Sequence, residues 1–293
     1  MKKICSRLIA ICSFFSLVLG SLAGCGNIVT YAKYANADAY EVGSAHISAD
    51  GIEKVEIDWV AGSIEVEQTA SPTILLEEAE SIEKDSMKLH YYLDGNVLRV
   101  KYCQAGYRGK IDTREKNLRV EIPAGLSLEV DCVSAGLTIG VLECKNLSIE
   151  TTSGNLTAER ISCAKADLET TSGALDVGEL RADALSVEST SGKISVTRLF
   201  VSSLDAETTG GALAFGIYKA LSGEIESVSG NIVLTLAEGL GAEVLLDTVS
   251  GGFTCEKKYD KQKGGKYLVY GVDGVSTECK LGVETTSGNI RIL

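Results

Sequence analysis

One six-residue turn recurs in this chain at a fixed step. Thr151-Thr152-Ser153-Gly154-Asn155-Leu156 returns as Thr170-Thr171-Ser172-Gly173-Ala174-Leu175, then as Ser189-Thr190-Ser191-Gly192-Lys193-Ile194, Thr208-Thr209-Gly210-Gly211-Ala212-Leu213 and Ser227-Val228-Ser229-Gly230-Asn231-Ile232. The glycines at 154, 173, 192, 211 and 230 are nineteen residues apart each time. A step of 21 reaches Gly251, and a further 37, nearly two periods, reaches Gly288. Nineteen residues upstream, Cys132-Val133-Ser134-Ala135-Gly136-Leu137 keeps the register with its glycine displaced by one. A degenerate early copy runs from Val55 to Ile64. A strict period of this length marks a stack of small units that cannot bury their apolar faces alone.

Within each unit apolar residues alternate with period two, the signature of a strand with one buried face. Leu147/Ile149 precede a turn and Leu156/Ala158 follow it; Leu185/Val187 and Ile194/Val196 do the same two units on. One unit is therefore a short strand, a Ser-Gly turn, a second short strand and a connector. The turn glycine is needed for φ > 0 or because a Cβ has no room. Two architectures suit such units: a β-solenoid, where residue i lies over i+19 at the strand spacing of about 4.8 Å, and an antiparallel meander of hairpins. The constant period favours the solenoid, because a changed perimeter in one coil spoils stacking with its neighbours. The sequence thus predicts an all-β, single-stranded β-solenoid of ~19-residue coils. Composition agrees: 31 Gly against 2 Pro suits many tight turns between strands that need every N–H for pairing.

The string Leu118-Arg119-Val120-Glu121-Ile122-Pro123, the repeated Thr-Ser-Gly-x-Leu/Ile turns and the closing Thr285-Thr286-Ser287-Gly288-Asn289-Ile290-Arg291-Ile292 resemble the bacterial "putative adhesin" family of β-solenoid domains. The resemblance covers roughly residues 40 to 293. It implies a β-helix-like stack, secreted or envelope-anchored, with no cofactor and no catalytic residues. Some relatives sit beside envelope-stress signalling systems, which adds an accessory role in such a response as an alternative function.

The N-terminus reads as a leader. Lys2, Lys3 and Arg7 precede an apolar run, Leu8 to Leu22, too short for a comfortable transmembrane helix. It ends in Leu22-Ala23-Gly24-Cys25, which resembles a lipoprotein lipobox; the resemblance implies lipidation at Cys25 and a lipid-anchored, extracytoplasmic protein on a bacterial membrane. Removal of 1–24 takes away three basic and no acidic residues, shifting the net charge from −12 to −15. The expected layout is a signal peptide at 1–24, a tether at 25–39, an N-terminal β part at 40–125 and regular repeats at 126–293. Leu89 to Tyr102 is expected as a hairpin around Asp94-Gly95-Asn96, and Thr73 to Ser86 as a short helix or loop. Residues 256–278 interrupt the repeats. They carry Lys257, Lys258, Lys261, Lys263 and Lys266, and are expected to project as a solvated loop or hairpin.

The strongly acidic balance argues against nucleic acid as a partner. Its distribution is more informative. The outward position before each Thr holds Asp58, Asp131, Glu150, Glu169, Glu188, Glu207, Glu226, Asp247 and Glu284. In a solenoid these form a ladder of carboxylates about 5 Å apart. Such a ladder keeps sheets from pairing with other sheets; it is also the candidate face for weak Ca²⁺ binding or for a cationic partner. No tight metal site is expected. The hydroxyl ladder beside it, Thr151 through Thr285, is expected to face inward near the turn.

Six cysteines remain beyond Cys25. Cys144 and Cys163, nineteen apart, are expected on adjacent coils as a disulfide or as buried thiols. Cys255 and Cys279 bracket the basic insertion and are the candidates for a bond at its base. His46 and His90 stand alone, and no catalytic or phosphate-binding motif is present. The coil-borne cations Arg160, Lys165, Arg181, Lys193 and Arg198 read as scattered over different coil positions, which disfavours a β-helix carbohydrate-active enzyme, kept as a minor alternative. The function expected is non-catalytic: an envelope adhesin or scaffold. Its expected partners are a cell-wall polymer, a glycan or an envelope protein, bound through the outer coil faces.

Overall fold

The computed structural model describes residues 28–78, 82–110, 116–271 and 279–293. Each coil contributes one strand to each of two open sheets. The first sheet takes Lys54–Trp59, Ser127–Cys132, Asn146–Thr151, Lys165–Thr170, Ala184–Ser189, Ser203–Thr208 and Ser222–Ser227. The second takes Ser63–Thr69, Gly136–Glu143, Leu156–Ser162, Leu175–Arg181, Ile194–Phe200, Leu213–Ile217 and Ile232–Leu236. Neighbouring strands are parallel and pair residue i with i+19: Leu147 with Ala166, Ile149 with Leu168, Leu156 with Leu175. The inward positions form continuous apolar columns between the sheets. Ile149, Leu168, Val187, Ala206 and Ile225 make one, and Leu137, Leu156, Leu175, Ile194 and Leu213 another, each at most 2% exposed.

The turn between the two strands of a coil is fixed by its Thr-Ser-Gly residues. The Thr151 hydroxyl accepts from the Gly154 amide at 2.9 Å and donates to the Gly154 carbonyl at 3.2 Å. Ser153 Oγ donates to the Val133 carbonyl of the coil before, at 3.1 Å. The hydroxyl ladder is therefore buried at Thr151, Thr170, Ser189, Thr208, Ser227 and Thr285. In the regular repeats, from Gly154 to Gly288, none of the turn glycines has a positive φ; Gly62, in the degenerate early copy, does. What excludes a side chain is proximity: a Cβ on Gly192 would lie 2.0 Å from the carbonyl oxygen of Gly173.

Chain order and stacking order part at both ends. The last coil, Cys279–Thr285 with Ile290–Ile292, is inserted between Ser222–Leu236 and the coil Ala242–Thr248/Phe253–Cys255. Asn231 Oδ1 accepts from Asn289 N and Asn289 Oδ1 from Gly252 N, each at 3.0 Å, which fixes that order. The simple succession by sequence position is thus corrected. The stretch between the early copy and the regular repeats supplies a coil of its own: Val97–Lys101 runs parallel to Lys54–Trp59, and Asn117–Pro123 parallel to Ser63–Thr69.

Antiparallel strands close each end, covering edges that would otherwise offer unpaired N–H and C=O groups. At one end these are His90–Asp94 with Glu41–Val42, and Thr73–Glu78 with Ala45–Ser48. Thr73–Glu78 is a strand, in place of the helix or loop expected there, because Ile74 and Leu76 alternate inward against Asn117–Pro123. The 90–101 hairpin is present around Gly95. At the other end the basic insertion does not project. Lys266–Val269 lies antiparallel along Ala242–Leu245, and Tyr259–Lys261 antiparallel along Lys266–Val269, a hairpin that extends and caps the first sheet. Within the expected tether, Ile28–Thr30 pairs with Arg108–Lys110 and Tyr31 is buried.

The N-terminal cap encloses a charge pair. Lys116 is fully buried, its ammonium ion-paired with Glu78, 3.0 Å from the Met87 carbonyl and 4.8 and 4.6 Å from the ring centres of Trp59 and Tyr102. Glu78 also accepts from the Leu89 amide at 2.8 Å. Burial pushes the Glu78 carboxyl up and the Lys116 ammonium down, while each opposes the other's shift by its charge.

Candidate functional site: the carboxylate column

Strand register places the predicted acidic residues in one line on the outer face of the first sheet. Asp58 pairs with Asp131, Asp131 with Glu150, and the line continues through Glu169, Glu188, Glu207 and Glu226. It then passes to Glu284 and ends at Asp247. Coil intercalation thus reverses the last two members relative to the chain. A second outward column runs beside it through Glu56, Glu129, Ser148, Asp167, Ser186, Asp205 and Glu224.

The two columns are neutralised at one end. Strand Val97–Lys101 sets Arg99 against Glu56 and Lys101 against Asp58, in register, and both form ion pairs there. Lys54 adds an ion pair with Glu129. Arg99 and Lys101 come from the stretch that the period did not reach, so the repeat gave no sign of them. From Glu150 onward the cations beside the columns are fewer, such as Lys165, 3.5 Å from Asp167.

Mutual repulsion and partial burial are visible in the proton affinities. Burial first, then Glu129 and Glu150, push Asp131 up to about 7; Lys101 opposes this only weakly. Glu169 is pushed up to about 7 by burial and then by Glu150 and Glu188 on either side. Glu150 is raised for the same reasons. The middle of the column therefore holds charge reluctantly at neutral pH. A cation laid along it removes that cost. Among the described residues no group of three or more His, Cys, Asp and Glu side chains is arranged to hold a metal ion, so the column is a linear field of charge, not a cage.

The remaining candidates are placed as follows. Cys144 and Cys163 are adjacent free thiols joined by a hydrogen bond, which pushes Cys144 up and Cys163 down. Cys255 and Cys279 do not staple the insertion: Cys255 pairs with Ile292 in the second sheet, while Cys279 pairs with Ala242 in the first, and both are free. His90 is buried with its ring against the Lys88 carbonyl, and burial lowers its basicity. Cys25 lies outside the described residues. Among those residues no helix is long and apolar enough to cross a membrane.

The expectation of scattered cations is corrected. Arg160 and Arg198 occupy one column, two periods apart, with Glu179 between them, and Arg181 flanks Glu179 on the same strand. The spacing 160, 179, 198 was legible in the sequence.

Two open parallel sheets, one strand per coil in each and a buried hydroxyl turn at every repeat, define a β-solenoid. The chain belongs to the Toastrack DUF4097 family, whose profile matches residues 52–293. It shares its fold with a solved structure described as a "putative adhesin". A "putative adhesin" from Bacteroides fragilis is 12% identical with a TM-score of 0.51, over 86% of this chain and 97% of that one. A "putative adhesin" from Parabacteroides distasonis is 14% identical with a TM-score of 0.49, again over 86% and 97%. No curated protein matches the chain.

Proposed function

We propose that this protein is a non-catalytic lipoprotein of the bacterial cell envelope, an adhesin or scaffold that binds through the outer faces of its coils. The observation that carries this reading is the unbroken register of carboxylates from Asp58 to Asp247 across nine coils. A flat, extended line of like charge recognises an extended partner of opposite charge, or an anionic polymer bridged by Ca²⁺, since hard cations favour carboxylate oxygens. Its weak, distributed sites suit avidity along a surface. The lipobox-like Cys25 supports anchoring at a membrane, with the stack facing away from the cytoplasm.

The test is retention of the protein on isolated cell-wall polymer and on a glycan and matrix-protein panel, with and without millimolar Ca²⁺. The comparison variant is Glu150→Gln/Glu169→Gln/Glu188→Gln. Selective retention that the variant loses supports the reading; equal retention of both proteins refutes it. Cys25→Ala is expected to move the protein from the membrane to the soluble fraction.

A further inference from the structure

On the second sheet, facing away from the carboxylate column, three arginines converge on one carboxylate. Glu179 is 5% exposed. Arg181 Nε lies 2.7 Å from its Oε1, Arg160 Nε 3.5 Å from the same oxygen, and Arg198 Nη2 3.0 Å from Oε2. The Arg181 guanidinium stacks on Phe200, 3.9 Å from the ring centre, and Phe200 contacts the half-exposed ring of Tyr218 at 5.6 Å. The hydrogen bond from Arg181, followed by the charges of all three arginines, holds the Glu179 carboxyl below its ordinary range.

One buried carboxylate needs one guanidinium for neutrality. Three leave an excess of two positive charges, and the exposed Glu159 beside Arg160 reduces it only to one. This occurs in a chain whose net charge is −12. Each guanidinium carries five N–H donors. The contacts to Glu179 use Nε of two and one Nη of the third, and all three side chains are about half exposed. Glu179 thus acts as the buried post that fixes three cationic forks at the surface, and the stack on Phe200 fixes Arg181 further. Fixed guanidiniums lose little freedom on binding, and their planar fork matches carboxylate or sulfate oxygens in pairs. The exposed Tyr218 ring beside them offers an apolar face of the size of a sugar ring.

We propose that Arg160, Arg181 and Arg198, with Tyr218, form a binding site for an acidic polysaccharide, its carboxylate or sulfate groups accepting from the guanidiniums. The site does not depend on the carboxylate column, which lies on the other sheet. It gives the stack two faces of opposite charge, one for cations and one for acidic glycans.

The experiment is titration calorimetry of the full chain with an oligogalacturonate and, separately, with a heparin-type oligosaccharide, at two salt concentrations. The two probes tell carboxylate from sulfate recognition. Arg160→Gln/Arg198→Gln is expected to weaken binding of the preferred probe at least tenfold. Lys165→Gln/Lys193→Gln, an equal change of charge elsewhere on the coils, is expected to change it less than twofold. Arg198→Lys keeps the charge and loses the fork, and is expected to weaken binding several-fold with an unchanged melting temperature. Three results would overturn the proposal: no binding of either probe by the unmodified chain, equal losses in the two double variants, or no glycan binding but a self-association that Arg160→Gln/Arg198→Gln abolishes. The last would assign the arginines to the acidic column of a second copy.

Discussion

A methyl group on Gly251 would lie 1.9 Å from the carbonyl oxygen of Gly288, a residue 37 positions further along the chain. Gly288 in turn packs on the Gly230 carbonyl. The C-terminal coil is therefore an internal member of the stack, closed over by a coil that precedes it in sequence. Chain ends usually fray because they are bonded on one side only. Here the final strand of the first sheet, Cys279–Thr285, is bonded on both. Native-state hydrogen exchange should show the amides of 280–285 protected to the level of Ala206 and its neighbours, and far more than those of 253–255 at the outer end. Exchange of 280–285 at the rate of a frayed terminus would contradict the order of coils.

The same packing sets a test of the turn glycines. Gly192→Ala forces a Cβ against the Gly173 carbonyl, so one coil must shift against the next. The expected loss is at least about 1–3 kcal/mol, read from urea unfolding. Gly140→Ala lies in a strand with nothing within 4 Å of the new methyl, and is expected to be neutral or slightly stabilising. Equal effects at the two positions would show that backbone freedom, not proximity, selects glycine at the turns.

The buried pair in the N-terminal cap predicts an asymmetry. Glu78→Ala leaves the Lys116 ammonium in an apolar site between Trp59 and Tyr102, and is expected to cost about 3–5 kcal/mol. Replacing both partners, Glu78→Leu with Lys116→Met, removes the charge together with its partner and should cost much less. Chemical denaturation of the two variants measures the difference directly.

The carboxylate column reverses the usual acid response. Asp131 and Glu169 hold their protons to about pH 7 in the fold, whereas ordinary carboxyls release them near pH 4. Between those values the native state binds more protons than the unfolded chain, so stability is greater at the acid end and falls as pH rises through 7. The melting temperature is expected to rise from pH 8 to pH 5. Below that range Glu179, held low by Arg181, works in the opposite direction and stability declines. Asp131→Asn/Glu169→Gln should raise the melting temperature at pH 8 and flatten its change between pH 8 and 5. A scan in which stability climbs from pH 5 to 8 would contradict the packing of these groups.

Addition of Ca²⁺ at pH 8, at matched ionic strength, should raise the melting temperature of the unmodified chain more than that of Glu150→Gln/Glu169→Gln/Glu188→Gln. An unchanged melting curve across the titration would remove the divalent cation from the proposed function.

The nineteen-residue period by itself determined the coil, its two strands, the buried Thr column and the line of outward carboxylates. It could do so because each depends only on which residues lie at i and i+19, and a stack of equal perimeters turns that spacing into contact. The ends were not legible for the same reason. Capping strands such as Thr73–Glu78 and Lys266–Val269 run antiparallel and carry no period. Their place follows from which sheet edge remains unpaired, a property of the whole stack. Only the tertiary structure inserted Gly288 between Gly230 and Gly251, set Arg99 and Lys101 across the head of the acidic columns, and separated Cys255 from Cys279 onto different sheets. Charge clusters mix both cases. Glu179 stands one period from Arg160 and from Arg198, which spacing alone records. That Arg181 shares the carboxylate and rests on Phe200 required the strand to bend after Val177, so that Glu179 and Arg181 both face outward with Leu180 in the core.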